Sequence, residues 1–367
     1  MSLDVLSIGG GMILQDQILP SLHHLRRMGT LGQIEVCARR PSTLDALRFA
    51  LPDMPFEPRL EPYAELLPKR KPRQLTVVAL PDVLHFDAVM KALQANQHVL
   101  CVKPLVLSGE QADKIERESQ ERNLLVAIEY HKRFDDRALM ARQRYREKRF
   151  GEFRLGTAIL FEKWHYRSSN FQNWFTKEDT DAFTYIGCHY VDLVAFITGL
   201  RPTAVSVYAI PDKFPNGTEG YLWTDARVLW SNGGCLNVQN ALGYPDAGPG
   251  SNIQGLTMWC DQSFLRHSDQ YRGLEYCELG HGYSEPSPDY MQMVEWTGEG
   301  KRPVGYGYRS IEAIVQTVLE LEAGRTTLKA IDEQGLIATP ANSRYNEQVI
   351  EAGRKSLASG GALVSCA

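Results

Sequence analysis

The 367-residue sequence has seven cysteines, but no pair of them in C-x-x-C spacing. The set is scattered and odd in number (Cys37, Cys101, Cys188, Cys235, Cys260, Cys277, Cys366), so neither a metal site nor a disulfide framework is indicated. Several stand inside apolar runs, as reduced core cysteines do. No apolar run is long enough to span a bilayer, and no charged n-region leads into an apolar h-region at the start. Basic charge is not in surplus either. The formal net charge is −4, which gives no footing for nucleic acid or an anionic membrane surface. Internal repeats are absent. These absences lead us to expect a cytoplasmic chain with no metal, nucleic-acid or membrane partner. What is present is ordinary for a globular protein, 43% apolar and 23% charged residues, over a length that suggests two domains.

The first third alternates short apolar runs with helical patterns. "DVLSI", "IEVCA", "LTVVAL", "HVLCV" and "LLVAI" are separated by stretches of helical periodicity. This β-α-β-α rhythm predicts a doubly wound parallel sheet over residues 1–128, and the non-alternating strands fit a sheet covered on both faces. After a helix at about 136–148 the rhythm changes. "GEFRLGTAILFEKWHY" reads as a long strand, and strand-like runs dominate from 203 to 279, with "NGG" marking a hairpin. A helix follows over 310–324. We expect an α+β second domain over 129–345 with a large open, mainly antiparallel sheet, and a tail over 346–367 that is helical and then frayed.

Two further absences fall inside the motifs. "LSIGGGMILQDQILP" places Gly9 and Gly11 after a strand and at the opening of a helix. The first allows a tight turn, and the second lets a pyrophosphate approach free N–H groups at the helix start, with Met12 and Ile13 beginning that helix. The third glycine of the dinucleotide fingerprint is missing, because Leu14 stands there. At the end of the second strand the carboxylate that would bind a ribose 2′-hydroxyl is also missing. Ala38, Arg39 and Arg40 occupy that place, which suits a 2′-phosphate. The expected cofactor is therefore NADP(H), with NAD(H) as the alternative if both arginines are only solvated. Lys103 follows the strand "HVLCV", where ligands of open α/β sheets lie; it is either a crevice residue or a surface lysine at a strand end. His131 and Lys132 follow the next strand and are candidates to face the same crevice.

"YIGCHYVDLVAFITG" (185–199) reads as one helix. Ile186, Tyr190, Leu193, Val194 and Ile197 make an apolar face, and Gly199 ends it. Tyr185, His189 and Asp192 form a second stripe at i, i+4, i+7 spacing. That stripe is either a structural His–Asp pair or a proton-handling site. "KWHYRSSNFQNW" (163–174) precedes it. Trp164, His165, Tyr166 and Arg167 are candidates for sugar stacking and hydroxyl contacts, or belong to a packed loop.

Taken in order, these segments resemble the Gfo/Idh/MocA oxidoreductase family. "ALPDVLHFDAVMKALQANQHVLCVKPL" is similar to its T-P-x-x-x-H…G-K-H-V-x-x-E-K-P stretch, "IEYHKRFD" to its N-x-R-F segment and "GCHYVDLVAFITG" to its G-x-H-x-x-D helix. The closing stretch from "PDYMQMVEW" to "VLELEAG" is also similar. The resemblance implies a Rossmann domain followed by an α/β domain whose open sheet serves in oligomer contacts, as a homodimer or homotetramer. It implies hydride transfer between NAD or NADP and a hydroxyl of a sugar, polyol or related compound. Lys103 matches the family lysine that contacts substrate and cofactor, His189 its acid–base histidine and Asp192 a substrate-binding carboxylate. Tyr185 is a further catalytic candidate. Leu80, Pro81 and His85, in the T-P-x-x-x-H match, are expected beside the cofactor; His131, Trp164, Tyr166 and Arg167 are expected beside the substrate. Val102 stands where the family has Glu, and Tyr185 where it often has Asp. Two other activities stay open: redox-neutral glycoside cleavage with a tightly bound nicotinamide, and non-catalytic sensing of cofactor or sugar.

Overall fold

The computed structural model describes residues 2–268, 274–296 and 300–366. Part of the expected strand-rich stretch, 269–273, lies outside the described residues, as does 297–299 of the closing stretch. The chain divides into two units, Met1–Phe134 with Tyr290–Arg344, and Asp135–Asp289 with Tyr345–Ala367. This differs from the expected division. Residues 290–344 belong with the first unit, and the tail belongs with the second.

The first unit holds six parallel strands: β1 (Leu3–Ile8), β2 (Leu31–Cys37), β3 (Glu57–Arg59), β4 (Leu75–Val78), β5 (His98–Val102) and β6 (Val126–Glu129). Their order in the sheet is β3-β2-β1-β4-β5-β6. Every residue of β4, β5 and β6 is buried, as strands covered on both faces require. Connections on either side of β1 run in opposite directions, so the sheet has its switch point beside that strand. The closing helix Tyr306–Glu322 completes this core. Its Ile311, Ile314, Val315 and Val318 join one buried cluster with Leu14, Ile18 and Leu22 from the first helix and with Leu100, Val102 and Phe134. That shared cluster is the physical reason 290–344 leaves the second unit.

The second unit is built on a seven-stranded sheet. It holds β7 (Phe153–Lys163), β8 (Pro202–Lys213), β9 (Glu219–Trp230), β10 (Cys235–Tyr244), β11 (Asn252–Cys260), β12 (Phe264–Ser268) and the short strand Val364–Ser365. The order is β12-β11-β7-β10-β9-β8 followed by 364–365. All pairings are antiparallel except β7 with β10. The expected "NGG" hairpin joins β9 to β10, with Gly233 at φ 81°. β9 alternates between buried and more exposed positions, as a sheet covered on one face does. The helix Tyr345–Ala358 packs on β8, where Ser356 Oγ accepts from the Val207 amide at 2.9 Å. The other face is open. Tyr208, Ile210, Leu155, Trp259 and Phe264 on it are each about half exposed or more. The tail does not fray: Val364 and Ser365 pair with Val205 and Ala204, and Cys366 is buried.

Candidate functional site

The carboxyl-end edge of the parallel sheet gathers most of the expected cofactor residues within the first unit. Gly9 leaves β1 with φ 108°, and a Cβ placed there would lie 2.0 Å from the Ala79 carbonyl oxygen. Only glycine fits that turn. At Gly11 a Cβ would meet nothing within 4 Å, so the backbone is open at the start of the following helix, where N–H groups are free to receive an anion. Met12 and Ile13 are half-buried in the helix's first turn. Leu14, in place of the third glycine, is fully buried, and the segment Leu14–Ile18 is a π-turn. The widened turn falls where the fingerprint would place the glycine that lets helix and strand approach. Ala38 is buried after β2, while Arg39 and Arg40 are exposed, directly before the helix Pro41–Ala50. A cradle open at Gly11, closed at Gly9 and flanked by two exposed cations fits a dinucleotide.

Leu80 and Pro81 follow β4. His85 opens the helix that comes after them, His85–Gln94. It is fully buried, with Nδ1 2.8 Å from the Pro104 carbonyl oxygen and Nε2 2.8 Å from that of Leu80. The ring therefore straps the loop after β4 to the loop after β5, and Lys103 stands in the second of these. Both ring nitrogens are thus engaged with the backbone of these two loops. Val102 and Glu129 are register partners on β5 and β6, so Lys103 and the turn His131–Phe134 leave the sheet side by side.

That turn is anchored by groups the sequence reading did not single out. Glu129 is buried at 2% exposure. Its Oε1 accepts from Gln17 Nε2 and Ser310 Oγ, each at 2.7 Å, and its Oε2 from His131 Nδ1 at 2.9 Å. Gln17 also donates to the Gly307 carbonyl at 2.9 Å and accepts from Tyr290 Oη at 2.7 Å. The His131 ring packs on Tyr290 and Tyr306, with centroids at 5.2 and 5.6 Å, and Lys132 Nζ lies 5.8 Å over the Tyr306 ring. Gln17, Tyr290 and Ser310 sit far apart in sequence, and no spacing rule brings them together. The one available signal was Glu129, a carboxylate inside an otherwise apolar strand.

In the second unit the expected helix is a π-turn, Phe183–Gly187, followed by the α-helix Cys188–Thr198, with Gly199 at φ 76° as its stop. The helix is not two-faced. Every residue from Cys188 to Ile197 is buried, His189 at 6% and Asp192 at 1% exposure. The π-turn offsets Tyr185 from the expected stripe, since its turn is wider than 3.6 residues. The Tyr185 ring instead packs edge-on against Phe171 and Trp174, with centroids at 5.1 and 5.6 Å. Asp192 Oδ1 accepts from Tyr345 Oη at 3.0 Å and Asn346 Nδ2 at 3.1 Å, which commits that oxygen to the C-terminal helix.

The segment 163–174 splits in two. Arg167 is buried, with Nε donating to the Leu242 carbonyl at 2.6 Å and Nη1 to Asp212 at 2.7 Å; its guanidinium lies 3.5 Å from the centroid of the Trp164 ring. Two of its nitrogens thus tie β10 to β8, while Nη2 is buried without a hydrogen-bond partner among the described residues. Trp164 and His165 stay exposed and line a cavity of about 410 Å³ with Lys213, Phe214 and Asp246. Tyr166 packs between His165 and Phe171.

Comparison with known proteins agrees with this architecture. A family model described as an oxidoreductase family with NAD-binding Rossmann fold matches residues 3–130. The C-terminal domain model of the same family matches 138–234. Scyllo-inositol 2-dehydrogenase (NADP(+)) IolW of Bacillus subtilis is 24% identical over 38% of this chain and 38% of its own length. UDP-N-acetylglucosamine 3-dehydrogenase of Acidithiobacillus ferrooxidans is 32% identical over 37% of this chain and 40% of its own. The chain thus spans well under half the length of these curated relatives. The crystal structure of scyllo-inositol dehydrogenase from Lactobacillus casei with bound NAD(H) and scyllo-inositol superposes with a TM-score of 0.71 at 14% identity, covering 100% of this chain and 99% of the other. That likeness concerns the fold. With both family models in their expected order and together covering more than half of the sequence, the chain belongs to the Gfo/Idh/MocA oxidoreductase family.

Proposed function

We propose that the protein transfers hydride between a nicotinamide dinucleotide and a hydroxyl of a sugar, polyol or related carbohydrate. The observation that carries this reading is the cradle at the sheet edge, closed at Gly9, open at Gly11 and continued by Lys103 after β5. Support comes from the relatives, which include dehydrogenases of scyllo-inositol and of UDP-N-acetylglucosamine. Bound nicotinamide supplies the hydride acceptor. In this reading Lys103 donates a hydrogen bond to the reacting oxygen and polarises it, and His189 takes the hydroxyl proton as the hydride leaves. Tyr185 shapes the aromatic wall with Phe171 and Trp174. The exposed Arg39 and Arg40 after β2 favour the 2′-phosphate of NADP(H). Trp164 and Tyr166 remain candidates to contact the substrate. The half-exposed apolar residues of the open sheet face support a homodimer or homotetramer formed through that face. The protein is proposed to work in the cytoplasm.

The test is nicotinamide absorbance on mixing the protein with NADP+ or NAD+ and a panel of myo-inositol, scyllo-inositol, D-glucose and UDP-N-acetylglucosamine. Net reduction with one of them supports the reading. A second reading, redox-neutral water addition or elimination, is favoured by one observation: a relative in Escherichia coli, 26% identical over 36% of this chain, is a 2,7-anhydro-N-acetylneuraminate hydratase. Product formation from an anhydro sugar without net absorbance change would select it.

A further inference from the structure

Strand directions bring the carboxyl ends of β7, β8 and β10 to one end of the second unit's sheet, because β7 is parallel to β10 and β8 is antiparallel to β9, as β9 is to β10. The chain leaving these ends encloses the cavity of about 410 Å³ beside Trp164, a volume in the range of small-molecule sites. The turn Trp164–Ser168 follows β7. Asp246, after β10, holds that turn: its Oδ1 accepts from the His165 amide at 2.8 Å and lies 3.0 Å from His165 Nδ1. Behind Trp164 stands Arg167, 3% exposed. Its guanidinium lies over the rings of Trp164 and Trp223, at 3.5 and 5.5 Å from their centroids. Asp212 fixes this arrangement. Its Oδ2 accepts from Arg167 Nη1 at 2.7 Å and from Trp223 Nε1 at 3.2 Å, and its Oδ1 from the Lys213 amide at 2.8 Å. A cation packed this closely holds the indole plane of Trp164 in place. One face of that ring is thus covered, yet the residue is 42% exposed, so the other face is left to the cavity.

A fixed indole face beside polar groups suits a sugar ring, whose C–H face is apolar and whose rim is hydroxylated. Ser168, Lys213, His165 and Asp246 supply donors and acceptors around the cavity for that rim. Charge points the same way. Asp212 matches Arg167, and Asp246 matches His165 when it is protonated, which leaves Lys213 as the one lining cation without an ion pair among the described residues. A doubly charged phosphate would meet two carboxylates here, whereas a neutral ring meets no such repulsion. Packed rings separate the cavity from the helix of His189. Tyr166 packs on His165 at 4.5 Å and on Phe171 at 6.1 Å, and Phe171 packs on Tyr185 at 5.1 Å. We propose that the cavity is a second carbohydrate site, which binds one pyranose ring stacked on Trp164, apart from the ring that reacts at His189. The site lies wholly within the second unit and needs neither cofactor nor turnover, so its occupancy is independent of hydride transfer.

The test reads the indole N–H signals of the full chain labelled with ¹⁵N-tryptophan, assigned with Trp164→Phe, Trp174→Phe and Trp223→Phe. The protein is titrated with D-glucose, D-galactose, D-mannose and N-acetyl-D-glucosamine. At least one of these sugars should shift the Trp164 signal saturably. D-Sorbitol, a polyol without a ring face, should bind at least roughly fivefold more weakly. Lys213→Ala should raise the dissociation constant roughly threefold to tenfold, the scale of one lost hydrogen bond. In Trp164→Leu the sugar-induced shift of the neighbouring Trp223 signal should vanish. Trp174 packs on Tyr185 and reports the segment before His189 instead. A Trp164 signal that no sugar moves overturns the proposal. So does a response confined to Trp174, an equal affinity for sorbitol, a response to inorganic phosphate in place of the sugars, or a Trp223 shift that survives Trp164→Leu. Should Trp164→Leu not fold, Lys213→Ala decides, at an exposed position, and an unchanged dissociation constant overturns the proposal. A protein that binds a sugar at Trp164 but reduces no nicotinamide overturns the hydride-transfer reading alone.

Discussion

The Nε2 of His98 lies 2.9 Å from Oε1 of Glu322, tying β5 to the end of the closing helix. The other ring nitrogen, Nδ1, accepts from the Leu125 amide at 3.0 Å. The neutral Nε2–H ring therefore satisfies both neighbours, and a second proton would break the bond from Leu125. Burial pushes the His98 pKa down to about 4, against the pull of Glu322. The unfolded chain, with an ordinary histidine near 6.5, binds the proton first as the pH falls. Stability is therefore complete above about pH 6.5, declines between 6.5 and 4, and levels off below. Melting temperatures across that window should fall in the wild type. In His98→Gln the fall should be shallower, from a starting stability lower by about 1–3 kcal/mol. Parallel curves for the two proteins would refute this.

His189→Ala should lower kcat by roughly 10²–10⁴-fold, the scale of general acid–base catalysis. Cofactor affinity, read by fluorescence titration, should change little, because the dinucleotide residues belong to the other unit. An unaltered kcat with a lower melting temperature would mark His189 as a packing residue of its buried helix.

The two glycines of the turn should separate folding from binding. Gly9→Ala drives a Cβ onto the Ala79 carbonyl at positive φ, so it should cost about 2 kcal/mol or more of stability. The Cβ of Gly11→Ala meets no protein atom within 4 Å. This variant should keep the wild-type melting curve and still weaken cofactor binding by roughly tenfold or more, because the side chain fills the space of the pyrophosphate. Equal thermal losses in both would argue against the cradle.

Arg39 and Arg40 invite a charge test. Replacing both with alanine should weaken NADPH by roughly tenfold or more, while NADH affinity holds. If the wild type binds NADH as tightly as NADPH in the same titration, the preference for the phosphorylated cofactor fails and the fold is untouched.

On the open sheet face, Leu155 pairs with Trp259 and Trp259 with Phe264. Analytical ultracentrifugation at micromolar concentration should find the wild type oligomeric and Trp259→Glu/Phe264→Glu shifted toward monomer. A wild-type monomer would show that these side chains face solvent.

The sequence made the parallel sheet legible because β4, β5 and β6 are buried on both faces and so read as unbroken apolar runs. The turn at Gly9 was equally plain, since only one residue type tolerates it. What periodicity hid was where polar side chains find partners. In "GCHYVDL" it showed a stripe, but not that Tyr345 and Asn346, more than 150 residues on, would occupy Asp192. In "ILQDQILP" the helical pattern was right in kind, yet nothing local marked the π-turn that carries Gln17 inward. Long-range hydrogen bonds leave no spacing rule, so the Glu129 cluster emerges only in three dimensions.

The return of residues 290–344 to the first unit has a consequence for how the protein is made. A ribosome releasing the chain from its amino end delivers β7 to β12, all of the second unit's sheet but the short strand Val364–Ser365, before it delivers Ile311, Ile314, Val315 and Val318, which close the first core. Until then, the apolar surface those residues will cover on Leu14, Ile18 and Leu22 waits without its partner. The nascent dinucleotide-binding unit is thus the first to begin and among the last to finish, and for most of translation it is the part with the strongest claim on a chaperone.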